Sequence, residues 1–148
     1  MMTLDSNPEP NAPEAYERHK VLRDDRDLVQ EFQETIAGEL QELGWDEASA
    51  FAVRLSLEEA LTNAFRHGNQ SDPAKTVRVH YSIAADRIAI AVEDQGTGFD
   101  HQAVPDPTAD ANLEIPSGRG IMLIRAYMSS VGFVPPGNRL EMSLTRGE

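Results

Sequence analysis

The chain has no cysteine. That excludes disulfides, thiolate metal sites, iron–sulfur clusters and cysteine nucleophiles together, and it is compatible with a reducing cytosol. Basic residues are scarce. Thirteen Lys and Arg stand against 25 Asp and Glu, for a formal net charge of −12. This balance disfavours sequence-independent nucleic-acid binding, which needs cations against phosphates, and docking on an anionic membrane surface. Long apolar runs are missing as well. The longest, Ile88–Val92, is far short of the roughly 20 residues that span a bilayer. Residues 1–14 hold three prolines (Pro8, Pro10, Pro13) and no Lys or Arg. They lack the basic and apolar parts of a signal peptide and are expected to form a disordered tail. A cytoplasmic location is the expectation.

What remains is ordinary for a globular protein: 148 residues, 40% hydrophobic and 26% charged, enough for one domain over residues 15–148. Residues 17–23 read as a short edge strand. Asp25 or Asp27 can cap a helix whose apolar positions Leu28, Phe32, Ile36 and Leu40 recur every four residues, with Gly44 as its stop. Asp46 can cap a second helix running to about His67. The period then switches to alternation over Val77–Ile83, followed by a buried strand at Ile88–Val92. Residues 95–120 hold four of the ten glycines and read as a long loop, which in a compact domain is usually functional. Ile121–Val131 reads as a third helix, and 131–145 as a hairpin turned at Pro135–Asn138. Strands segregated from helices in this order predict a two-layer α+β sandwich.

Three features carry chemistry. On a helix, Glu59, Asn63 and His67 fall at i, i+4 and i+8 and share one polar stripe. Asn offers a hard neutral oxygen to magnesium, and Glu can accept a proton from a hydroxyl. Glu58 is rotated about 100° from that face. Second, Asp94-Gln95-Gly96-Thr97-Gly98 follows a strand. Its glycines permit close backbone approach, and its Asp can accept a hydrogen bond from an amino group such as that of adenine. Third, Ser117-Gly118-Arg119-Gly120 runs into Ile121–Ile124, a glycine-rich entry to a helix N-terminus suited to phosphate, with Arg119 able to add a charge-assisted contact. Each alone has a plainer reading: a solvated helix face, a hairpin turn, an ordinary helix start. His19, His80 and His101 lie on separate elements without ligand spacing, which argues against a zinc site.

In this order and spacing, the three features resemble the ATP-binding superfamily of gyrase, sensor histidine kinases and mismatch-repair ATPases, the Bergerat fold. Glu59–Gly68 resembles its N box, Asp94–Gly98 its G1 box and Gly118–Gly120 its G2 box, with a lid over about residues 99–117. More narrowly, Glu59–Ala64, His67-Gly68-Asn69, Val104–Pro107 and Pro116–Gly120 with Leu123-Ile124-Arg125 resemble the small free-standing anti-sigma-factor serine/threonine kinases of bacterial partner-switching systems. The resemblance covers about residues 16–146. It implies a mainly antiparallel mixed sheet covered by about three helices, and ATP and Mg²⁺ as ligands. It implies Glu59 as general base and Asn63 as the Mg²⁺ ligand. Asp94 would hold the adenine amino group, with Gly96 and Gly98 shaping the pocket floor. Gly118, Arg119 and Gly120 would lie around the phosphates. His67 sits at the end of the N box and would belong to the nucleotide-binding residues, with capping the helix as its alternative role. The implied partners are a small antagonist protein as phospho-acceptor and a sigma factor or similar regulator, with the kinase a homodimer. The chain departs from the pattern at Ser129-Ser130, where an acidic pair is frequent, and at Pro116, where some members have a base. A nucleotide-binding interaction module without phosphoryl transfer is the alternative function.

Overall fold

The computed structural model describes residues 16–96, 116–135 and 137–146, with the side chains of 116–119 excepted. The expected tail, most of the expected lid and Gly98 lie outside these residues.

The order is β1 (Arg18–Leu22), α1 (Arg26–Glu42), α2 (Glu47–Asn63), a π-helical turn (Ala64–Gly68), β2 (Val77–Ile83), β3 (Arg87–Glu93), α3 (Pro116–Tyr127), β4 (Ser130–Val134) and β5 (Arg139–Thr145). The strands form one sheet in the order β1-β2-β3-β5-β4, and every neighbouring pair is antiparallel. The expected α+β sandwich is the observed architecture.

Of the two candidate caps for α1, Asp25 is the one used. Its carboxylate accepts from the backbone N–H of Asp27 at 2.9 Å and of Leu28 at 3.3 Å, satisfying donors that the first helical turn leaves free. Gly44, at φ +82°, ends the helix, a conformation that costs glycine least. Asp46 caps α2 through Ser49 N–H at 2.8 Å.

Alternation sorts the sheet into two faces. Val77, Val79, Tyr81, Ile88, Ile90, Val92, Leu140 and Met142 face the helices and join Phe32, Ile36 and Leu40 of α1, Val53, Leu57 and Leu61 of α2, and Ile124 of α3 in one core. Phe32 meets Tyr81 edge to face at 5.4 Å. The opposite face is polar. There Arg139 Nε donates to Glu141 at 2.9 Å, and Glu93 lies 3.5 Å from Arg139 and 3.6 Å from His80. Burial pushes the Tyr16 phenol up to about 12, with the nearby Glu141 adding to the rise.

Two boundaries differ from the sequence reading. α3 begins at Pro116 and ends at Tyr127 rather than spanning Ile121–Val131. Proline is at home in a first helical turn, where its missing N–H has no partner to lose, so the glycine-rich stretch behind it is helix rather than loop. At the other end, Ser130 and Val131 pair with Ser143 and Met142. The second difference is the π-helical turn. Asn69 N–H reaches back five residues to Ala64 O at 2.8 Å, widening the end of α2 before it leaves for β2.

Candidate functional site

The site is built from the C-terminal end of α2, the turn after β3 and the first turn of α3. Glu59 and Asn63 both lie within regular α-helix, so their four-residue spacing places them on one face. α3 comes in against that face. A Cβ on Gly120 would sit 3.2 Å from Glu59 Oε1, so the absence of a side chain at Gly120 sets how near the helix start approaches the carboxylate. Glu58 points elsewhere. It lines a separate groove of about 480 Å³ with Arg26, Arg54, Thr62 and Arg66, which separates the two neighbouring acids by location as well as by spacing.

Asn63 Oδ1 is buried and has no hydrogen-bond partner among the described residues. Buried side-chain oxygens are rarely left so, because an unmet acceptor costs about 1–3 kcal/mol. A neutral amide oxygen in that condition fits a hard cation such as Mg²⁺. His67 falls in the π-helical turn and is exposed. The wider turn takes it off the spacing that would stack it on Asn63, so the structure brings Glu59 and Asn63 together and leaves His67 at the edge.

The turn after β3 is held from three sides. Asp94 N–H donates to Asn138 O at 2.9 Å, and Asn138 Nδ2 donates to Asp94 O at 3.1 Å. Gly96 N–H donates to Asp94 Oδ1 at 2.7 Å. Behind the carboxylate stands Gly68: a Cβ there would fall on the carboxylate itself, and a Cβ on Gly96 would run into the carbonyl of Gly68. Both glycines are required by close approach rather than by turn geometry. Burial raises the Asp94 carboxyl above the usual carboxylate range, against the opposing Gly96 hydrogen bond. Part-buried, with one oxygen already bonded, Asp94 is an acceptor suited to an amino group.

Gly118 and Arg119 lie in the first turn of α3 with Pro116 and Ser117. A first turn has backbone N–H groups without intrahelical partners and the positive end of the helix dipole. Since Pro116 has no N–H, the donors come from the residues that follow it, the glycine-rich segment. This arrangement can accept an anion beside Glu59 and Asn63.

Asn69 was not among the expected site residues, although its His67-Gly68-Asn69 neighbourhood was. It is 1% exposed. Its Nδ2 donates to Thr76 O at 3.0 Å and its Oδ1 accepts from Gln95 N–H at 2.7 Å. Gln70 and Ser71 beside it both have positive φ, 55° and 58°, a region that side chains other than glycine's rarely adopt. The only sequence signal was an asparagine at a helix end, which a simple cap explains equally well.

A profile described as the histidine kinase-like ATPase domain matches residues 22–144. The chain is 33% identical over 81 residues to the anti-sigma F factor of Clostridium perfringens (strain 13 / Type A), covering 53% of this chain and 58% of that one. It is 27% identical over 103 residues to the serine-protein kinase RsbW of Oceanobacillus iheyensis, covering 66% and 65%. With the serine-protein kinase RsbW of Bacillus licheniformis it shares 30% identity over 105 residues, covering 66% and 64%. The matched segments thus span between 58% and 65% of these relatives' lengths.

Proposed function

Because the chain belongs to the histidine kinase-like ATPase domain family, we propose that it binds Mg-ATP and transfers the γ-phosphoryl group to a Ser or Thr of a small antagonist protein. In its other state it binds and silences a sigma factor or similar regulator, acting as a homodimer. The observation that carries the reading is the buried Oδ1 of Asn63, without a hydrogen-bond partner among the described residues, one helical turn from Glu59. Names carried by the relatives, anti-sigma F factor and serine-protein kinase, support the class of activity.

Each residue then has a task. Asp94 accepts a hydrogen bond from the adenine amino group. Asn63 supplies an oxygen to Mg²⁺, which when bound neutralises phosphate charge. Backbone N–H groups at the start of α3 face the phosphates. Glu59 accepts the proton of the attacking hydroxyl as its oxygen bonds the γ-phosphorus and the bond to the β-phosphate oxygen breaks, releasing ADP. Phosphoryl transfer asks mainly for positioning and charge neutralisation, and this set of residues supplies both.

The test is calorimetric titration of Mg-ATP and Mg-ADP into the wild type and Asn63→Ala, followed by phosphoprotein mass spectrometry with a candidate antagonist. The expected results are micromolar-range binding that Asn63→Ala removes, and a phosphoserine or phosphothreonine that Glu59→Ala abolishes while nucleotide binding persists. Binding without any transferred phosphoryl group would favour an interaction module. No binding by the folded wild type would overturn the reading.

A further inference from the structure

Asn69, Thr76 and Gln95 form a closed ring of hydrogen bonds. Asn69 Nδ2 donates to Thr76 O at 3.0 Å, Thr76 N–H donates to Gln95 Oε1 at 2.6 Å, and Gln95 N–H donates to Asn69 Oδ1 at 2.7 Å. The ring joins two segments remote in sequence, the 69–76 connection and the turn at 94–96. It needs one planar group that donates on one side and accepts on the other, which an amide does and a carboxylate does not. The partners dictate its orientation, because Thr76 O can only accept and Gln95 N–H can only donate. Asn69 is also fixed by its own backbone, whose N–H bonds Ala64 O and whose carbonyl accepts from Asp72 N–H.

The peptide that Asn69 grips is the one immediately after Asp94. The next N–H, that of Gly96, is the donor bound to Asp94 Oδ1. The residue immediately before Asn69 is Gly68, against which the Asp94 carboxylate rests. Asn69 therefore holds both the strand turn that aims the carboxylate and the backbone that backs it. We infer that Asn69 is a positioning residue for Asp94, setting the preference of the site for a purine with a 6-amino group rather than merely stabilising the fold. This rests on the reading of Asp94 as the adenine acceptor.

The experiment measures Mg-ATP and Mg-purine riboside triphosphate, which lacks the 6-amino group, binding to the full chain by calorimetry. The proteins are the wild type, Asp94→Ala, Asn69→Ala and Asn69→Ser, each checked for folding by circular dichroism. The wild type is expected to prefer ATP. In Asn69→Ala and Asn69→Ser, ATP should weaken by about tenfold, the scale of one well-placed hydrogen bond, while the analogue changes by less than about twofold, so the preference collapses. Equal weakening of both ligands, or of neither, overturns the inference and leaves a structural role. Asn69→Ser keeps a polar group at the position, but one short hydroxyl cannot serve both Thr76 O and Gln95 N–H, so it decides the matter should Asn69→Ala not fold. A wild type that binds no nucleotide, or an Asp94→Ala variant that keeps the preference, removes the adenine reading and this inference with it.

Discussion

At the scale of single residues, space and charge make separable predictions. Gly68 and Gly96 stand where any side chain collides with Asp94 or with backbone. Gly68→Ala should therefore cost about 1–3 kcal/mol, the usual range for forcing atoms into a filled site, and weaken ATP binding; urea unfolding and calorimetry read the two effects. Asp94 makes a prediction of opposite sign for stability. Burial holds its proton in the folded chain to higher pH than the ordinary value of 3.8. The folded state then binds more protons than the unfolded one between those two pKa values, so this group's contribution weakens the fold as pH rises through that window. Above it, the ionised carboxylate remains a burden. Asp94→Asn keeps an acceptor oxygen for Gly96 and drops the charge. It should melt at a higher temperature than the wild type at pH 7 and at no higher a temperature at pH 3, while losing the preference for adenine. A lower melting temperature at pH 7 would show that the carboxylate is better satisfied than its burial suggests.

At the scale of elements, caps and helix ends decide what could be foreseen. The Asp25 cap should be worth about 1 kcal/mol, lost in Asp25→Ala as a shift of the urea midpoint without a change of slope. Asp27, its rival in sequence, should matter less, since it contributes a backbone N–H to the cap rather than the acceptor. The helices and strands were legible because the apolar period changes cleanly from four to two and back, whereas the order of the strands in the sheet is not written in that period. The start of α3 was not legible: a proline and two glycines in five residues imitate a loop, although a first helical turn tolerates all of them. Nor was the π-helical turn. Leu61, Ala64 and Phe65 continue an apolar pattern that fits a regular helix, and only the five-residue reach of Asn69 to Ala64 reveals the wider winding. Within the candidate site, Glu59 and Asn63 were readable because their relation is local. The part played by Asn69 was not, because its side-chain partners lie 7 and 26 residues away.

For the whole molecule, two regions away from the site tie distant parts together. Arg146 donates to Leu43 O at 3.2 Å and Ala85 O at 2.8 Å, also to Gly44 O, and stacks over Trp45. It thereby joins the α1–α2 turn, the β2–β3 turn and the end of β5. The polar face of the sheet is the second. His80 sits there with its pKa held below the ordinary 6.5, first by burial and then by Arg139, against the opposing pull of Glu93. The unfolded chain takes up this proton at higher pH than the folded one. The group's contribution is therefore complete above 6.5 and is lost as pH falls toward the lower folded value. Acid should thus soften the protein from about pH 6.5 downward, before ordinary carboxylates titrate. His80→Gln should flatten that part of the melting-temperature profile.

Among the described residues the sheet ends in two edge strands, β1 and β4, and they are not alike. β1 presents Arg18, His19 and Lys20 at its start, charges that discourage another strand from adding on. β4 reads Ser-Val-Gly-Phe-Val and carries no such gatekeeper. Of the two edge strands, β4 is by its lack of charge the one where strand-to-strand aggregation of concentrated preparations should begin. Gly132 is the place to intervene: a Cβ there meets none of the described residues within 4 Å, and its ladder partner is Glu141. Gly132→Lys would post a charge on the vulnerable edge while leaving the core side of the strand untouched, and shelf life at high concentration, followed by light scattering, should lengthen.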